Sequence, residues 1–230
     1  MPITSPHNDK LKEIRRLQRR REGRFVAEGE DLLGAAEEAG WKPVYTLRAG
    51  QDVEPALLDD VSALGSGTRV MGVFEARFAP RAVGPVCVFL HGVKDPGNVG
   101  TVLRSALAFG AGSVVLGPGC ADPFGPKAVR ASMGAIFSVP VLRGELGDAP
   151  GEKVALVARE GHPLHELVAG AHAASGVTLV VGAERDGLPH DIVEACDLTA
   201  HIPIASDSLN AAMATTVGLY ELTRATGVRA

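Results

Sequence analysis

Aromatic residues are scarce: phenylalanine, tyrosine and tryptophan make up 4% of the 230 residues. A core of that kind must rest on Ala, Val, Leu and Ile, which suits an α/β architecture better than a β-sandwich. No run is long and apolar enough to cross a bilayer, and the opening MPITSPHNDK lacks the apolar centre of a signal peptide, so a cytoplasmic location is expected. Cys87, Cys120 and Cys196 are odd in number, far apart and without C-x-x-C spacing, which excludes a disulfide framework and leaves reduced, structural thiols. The sequence holds no G-x-x-x-x-G-K-[ST], so a P-loop is disfavoured. It holds no G-x-S-x-G either, which disfavours a hydrolase elbow. Where a dinucleotide-binding turn would carry G-x-G-x-x-G, the chain reads HGVKDPGNVG. His162, His165 and His172 lie close together beside Glu166, but Pro163 separates the first from the following helix and the spacing matches no usual ligand pattern, so no metal is expected.

Charge is what the chain does have, unevenly spread. The formal net charge is −4. Yet Lys10, Lys12, Arg15, Arg16, Arg19, Arg20, Arg21 and Arg24 crowd one short stretch against only Glu13 and Glu22. Two readings stay open for it: a phosphate-binding surface, or a solvated helix face.

Residues 8–22 read as a helix with a narrow apolar stripe of Leu11, Ile14 and Leu17. FVAEG at 25–29, a helix at 30–39 closed by Gly40, a strand at 43–47, a helix at 53–64 and a strand at 69–75 complete a small α/β unit over residues 1–80. Residues 81–85, within the Pro- and Gly-bearing FAPRAVGP, read as a linker. In residues 86–230 the pattern changes to continuous apolar runs alternating with helices. Strands are expected at 86–90, 113–116, 154–157, 177–181 and 202–204, and helices at 99–109, 128–135 and 209–223. That alternation predicts a mostly parallel sheet covered on both faces.

Three segments of the second unit carry polar groups where such a sheet binds ligands, at the C-terminal ends of its strands. DPGNVGTVLR (95–104) offers Asn98 as a helix cap and Arg104 further along the helix. VVGAERDGLP (180–189) runs from a buried strand into a glycine-bounded turn bearing Glu184. IPIASDSLN (202–210) places Ser208 and Asn210 at the mouth of the last helix, with Asp207 or Ser208 as its expected cap. Each alone is an ordinary capped helix or turn.

Together, and in this order, they resemble the motifs of the SpoU branch of the SPOUT methyltransferases, the TrmH-like family: N-x-G-x-x-x-R, then G-x-E-x-x-G, then I-P followed by S-L-N. The resemblance covers about residues 86–225. SPHNDKLKEIRRLQRRREGRFVAEG, at the other end of the chain, looks like the start of the L30e-like substrate-binding domain that precedes many members.

The resemblance implies a knotted α/β domain, closed by a deep trefoil knot, that binds S-adenosylmethionine and forms a homodimer. It implies methylation of an RNA ribose 2′-hydroxyl, with Asn98, Arg104, Glu184, Ser208 and Asn210 as catalytic candidates and Gly182, Ala183, Gly187, Ile202, Ile204 and Leu209 around the cofactor. Arg130 matches a further family arginine suited to holding a phosphate. RNA contacts are expected from Lys10, Arg15, Arg16, Arg19, Arg20 and Arg24. The L30e-like segment tilts the substrate from tRNA toward 23S ribosomal RNA. The chain departs from the family pattern at Ala212, where many members carry serine, and in a short loop between Ile204 and Ser208. The alternatives are a tRNA 2′-O-methyltransferase, a non-catalytic knotted RNA-binding protein, and an α/β enzyme acting on a small molecule.

Overall fold

The computed structural model describes residues 1–19, 23–65, 67–169 and 176–226. The N-terminal unit runs α1 (Asp9–Arg19), β1 (Arg24–Glu28), α2 (Glu30–Glu38), β2 (Tyr45–Arg48), α3 (Pro55–Asp60) and β3 (Val70–Glu75). Its strands form an antiparallel sheet in the order β1-β3-β2. Strand side chains alternate between faces, and both faces of this sheet are buried. Val26, Met71 and Val73 join Leu11, Ile14 and Leu17 of α1 in one core. Phe25, Ala27 and Phe74, on the opposite face, belong to the core of the rest of the chain.

The second unit comprises β4 (Val86–Leu90), α4 (Pro96–Ala108), β5 (Ser113–Leu116), α5 (Pro126–Ser132), α6 (Ala135–Ser138), β6 (Val141–Arg143), β7 (Glu152–Val157), β8 (His162–Pro163), α7 (Leu164–Ala169), β9 (Val177–Val181), α8 (His190–Glu194), β10 (Leu198–His201) and α9 (Ala211–Thr226). Its seven-stranded sheet has the order β6-β5-β4-β9-β7-β10-β8. Every pairing in it is parallel. From β4 the chain first steps outward to β5 and β6. It then crosses to the other side, so β4 and β9 flank the point where the winding direction reverses. That crevice is where an open α/β sheet binds its ligand.

The few aromatics concentrate where the two units meet. The Phe25 ring lies 5.7 Å from Phe74, 5.0 Å from Phe124 and 5.7 Å from Phe137. Trp41 stands edge-on to Phe137 at 5.4 Å and donates its indole N–H to the Phe137 carbonyl at 2.7 Å. Each such ring pair adds about 0.5–1.5 kcal/mol beyond the area it buries. The connecting segment is also fastened. Ala79 donates its N–H to the Val141 carbonyl at 2.7 Å, so the stretch expected as a linker begins along the edge of β6.

Several boundaries differ from the sequence reading for local reasons. The helix after β4 starts at Pro96, whose missing N–H costs nothing at a first turn. Its cap is therefore Asp95, whose side chain accepts from the Gly97 N–H at 2.7 Å, and not Asn98. The last helix is capped by Asn210, whose Oδ1 accepts from the N–H groups of Ala212 and Met213 at 2.9 and 3.2 Å, and not by Asp207 or Ser208. The last strand lies at Leu198–His201, not at 202–204. Pro203 has no N–H for the ladder, and residues 202–204 become loop. The helix expected over 128–135 breaks at Met133, which sits in the left-handed region (φ 49°), followed by Gly134 at φ 91°. The three-residue strand β6 escaped the sequence reading because so short a run has no readable period.

Candidate functional site

Three distant segments meet at the ends of β4 and β9. Asp95, by taking over the cap of α4, leaves the Asn98 side chain free one turn into the helix. Its amide Nδ2 donates to the Glu184 carboxylate. Its Oδ1 accepts from the Asn210 Nδ2 at 3.2 Å. Asn210 uses its own Oδ1 for the two N–H groups that open α9, so one side chain both starts that helix and holds Asn98. The sequence separations are 86 and 112 residues, which is why each motif looked unremarkable by itself.

The backbone here tolerates little change. A Cβ on Gly100 would stand 2.7 Å from the Ala131 methyl and press on the Ala128 carbonyl, so glycine lets α4 and α5 touch. A Cβ on Gly182 would collide with the backbone of Gly187. The turn between them closes by reciprocal backbone bonds, Ala183 N–H to Gly187 O at 3.2 Å and Gly187 N–H to Ala183 O at 3.1 Å.

Beside this polar cluster lies a cavity of about 640 Å³. Gly182, Ala183, Gly187, Ile202, Ile204 and Leu209, expected around a cofactor, all line it. Glu184 and Ser208 line it too. Its walls are backbone and aliphatic side chains, with carboxylates at Glu184, Glu160 and Asp207 and with Arg159, Arg185 and His190 beside them. The volume and the chemistry fit S-adenosylmethionine: apolar surface for an adenine, and carboxylates for hydroxyls and an ammonium. Sequence reasoning missed the loop after β7. Arg159 from that loop pairs with Asp207 from the loop before α9, two exposed side chains bridging lining segments. The signal for it was present, since the buried run of β7 leads straight into ARE.

Arg104 is exposed two turns along α4 from Asn98, and among the described residues it makes no hydrogen bond or ion pair. Arg130 is exposed on α5, in a small crevice shared with Val26 and Leu64 of the N-terminal unit. Ala212, the departure from the family pattern, is buried in the core with its N–H on Asn210. The α1 cations are partly spoken for. Lys12 pairs with Asp9, Arg15 with Asp60 at 2.6 Å, and Arg24 with Glu13 and Glu75. Lys10 lies 5.0 Å over the Tyr45 ring. Arg16 and Arg19 are exposed, and Arg20 falls outside the described residues. Among the described residues no group of three or more His, Cys, Asp or Glu is placed to hold a metal ion; His172 falls outside them. All three cysteines are free thiols, and burial pushes each of them up, Cys196 to about 11.

The profile of the SpoU rRNA Methylase family matches residues 85–220. The chain is 31% identical to a 23S rRNA (guanosine(2553)-2′-O)-methyltransferase of Bacillus subtilis, across 96% of this chain and 98% of the relative. Among solved structures it resembles an AdoMet-bound rRNA methyltransferase from Sinorhizobium meliloti, with a TM-score of 0.88, 30% identity and 97% of each chain covered. It also resembles the SpoU methyltransferase AviRb from Streptomyces viridochromogenes, with a TM-score of 0.82, 26% identity, and 95% of this chain and 98% of that one covered.

Proposed function

The chain belongs to the SpoU rRNA methylase family, and from that premise we propose that it transfers a methyl group from S-adenosylmethionine to a ribose 2′-hydroxyl of 23S ribosomal RNA. The observation that carries this reading is the meeting of Asn98, Glu184 and Asn210 beside a cavity walled by Gly182, Ile202 and Leu209. Bound in that cavity, S-adenosylmethionine supplies a methyl group already activated on a sulfonium. The remaining difficulty is the ribose hydroxyl, a poor nucleophile until its proton leaves.

Arg104 is the group suited to that difficulty. A guanidinium stays protonated in proteins, so it acts as a fixed cation rather than a base. With no hydrogen bond or ion pair among the described residues, it stabilises the oxyanion developing at the 2′-oxygen and holds the adjacent phosphate. Glu184, anchored by the Asn98 amide, fixes the turn that borders the cofactor. Asn210 ties the start of α9 to Asn98, and Ser208 lines the same cavity as Glu184.

A homodimer through the second unit is supported by the outer face of α9. Met213, Val217 and Tyr220 recur at i, i+4 and i+7 and are 60%, 37% and 51% exposed, beside the exposed Leu107 of α4. A stripe of that kind calls for a partner surface. The deep trefoil knot is proposed from membership of the SpoU family. Among the described residues no helix is long and apolar enough to cross a membrane. We infer a cytoplasmic site of action from the ribosomal RNA substrate.

The test is incubation with methyl-labelled S-adenosylmethionine and total RNA, with Arg104→Ala in parallel. Alkali-resistant label at one linkage of 23S RNA, lost in the variant, is the expected result. Label in tRNA alone, or none in any RNA despite cofactor binding, would overturn it.

A further inference from the structure

We propose that the seam between the two units, built from Trp41, Arg77, Phe78 and Arg143, is an RNA-stacking surface that extends the substrate footprint away from the reacting ribose. The inference rests on the RNA-methylating function proposed above, and it names a part of the RNA interface that the α1 basic stripe does not include.

Three observations carry it. The first is charge that is not spent internally. Lys12, Arg15 and Arg24 on or beside α1 are each held by a carboxylate. Arg77, Arg81 and Arg143 are exposed and make no ion pair among the described residues. A cation already paired with a carboxylate offers less to a phosphate than an unpaired one.

The second is aromatic interleaving. The Arg77 guanidinium lies 5.1 Å over the Trp41 ring, and that of Arg143 lies 5.7 Å over Phe78. Phe78 is 37% exposed although large and apolar, and its inner edge is fixed by Phe124 at 5.1 Å. Trp41, Arg77 and Phe78 of these pairs line an open groove of about 200 Å³ together with Ala79 and the stretch 136–141, with no carboxylate among its lining residues. Alternating guanidinium and ring planes are the surface on which unpaired bases stack while the cations hold their phosphates.

The third is register. Arg143 pairs with Leu116, Leu116 with Leu90, and Leu90 with Val181, so one row crosses the sheet from the seam to the residue before Gly182. Three strand spacings make that row about 14 Å long. Arg143 therefore stands at the same end of the sheet as Asn98 and Glu184, within reach of one RNA segment lying across the strand ends.

The experiment uses a 23S rRNA transcript, fluorescence-labelled for binding and unlabelled for turnover. Arg77→Ala/Arg143→Ala is expected to weaken binding about tenfold or more and to make the salt dependence shallower by about 1.5 in log–log slope. KM for the RNA should rise while KM for S-adenosylmethionine stays where it was. Phe78→Ala removes no charge and should still weaken RNA binding about fivefold or more, with recovery in Phe78→Tyr. A control pair, Arg48→Ala/Arg69→Ala, removes the same charge from exposed positions elsewhere. Binding by the seam variants within twofold of wild type, or an equal loss in the control pair, would overturn the proposal. Weakened binding without any methyl transfer by the wild type would uphold the seam and sink the proposed reaction instead.

Discussion

The side-chain amide of Asn210 donates to the side-chain carbonyl of Asn98 at 3.2 Å, joining the first turn of α4 to the start of α9. Because the Asn210 carbonyl oxygen also caps α9, the two halves of this amide have separable duties.

Asn210→Asp keeps the capping oxygen and removes the donor. It should retain stability within about 0.5 kcal/mol, while Asn210→Ala, which loses the cap, should cost about 1–2 kcal/mol in denaturant unfolding. Both variants should lose methyl transfer, by an expected factor of roughly ten or more. Equal stability of the two would show that the cap matters little.

Among the described residues Arg104 makes no hydrogen bond or ion pair, and it does not line the cavity proposed for the cofactor. Arg104→Ala should leave the affinity for S-adenosylmethionine unchanged in calorimetry and lower kcat by about 10²–10³-fold. Arg104→Lys should recover only part, since an ammonium lacks the planar fork. A variant that loses cofactor binding as well would refute this division.

Gly182→Ala puts a methyl group into the Gly187 backbone. The turn that walls the cavity must shift, and cofactor affinity should fall about tenfold or more, with a smaller loss of global stability. Calorimetric titration against thermal unfolding separates the two effects.

Phe25→Ala removes the ring that touches Phe74, Phe124 and Phe137 at once. A cost of about 3–5 kcal/mol is expected. The loss should appear in one cooperative transition, because that ring packs both units together.

Asp95 caps α4 and pairs with Lys127 at 2.8 Å; the ammonium first, and the Gly97 N–H after it, hold its carboxyl below the usual range. A depressed folded value means the stabilisation is present above the ordinary aspartate value of about 4 and is lost as pH falls through the folded one. The side chain is 46% exposed, so solvent and salt screen the effect. Urea midpoints of the wild type should fall more between pH 7 and acid than those of Asp95→Asn.

The long strands β4 and β9 were legible as continuous apolar runs, since a parallel strand buried on both faces leaves no polar alternation to confuse the reading. The polar cluster was legible as three motifs joined only by their order and family resemblance, and not as a set of contacts. Nothing local in 95–104 tells Asn98 that its partner is Glu184, 86 residues away. The caps were misassigned because Asp95, Asn98, Asp207, Ser208 and Asn210 all have side chains that can cap, and tertiary packing chooses among them. Arg15 and Arg24 read as free charge because Asp60 and Glu75, which hold them, are 45 and 51 residues away. The seam was hidden for the opposite reason: Trp41, Phe78 and Arg143 are isolated in the sequence and become neighbours only when the connecting segment lies along β6.

That aromatic seam also turns the molecule into a caliper. With Phe25, Trp41, Phe74, Phe124 and Phe137 interlocked, the span from the N-terminal unit to Asn98 is set by the protein and not by the RNA. On the function proposed above, with the N-terminal unit holding the RNA, the target nucleotide is chosen by its spacing from the held feature as much as by its own identity. Inserting a nucleotide between the two in the transcript should move the methyl group to the neighbouring ribose or abolish its transfer.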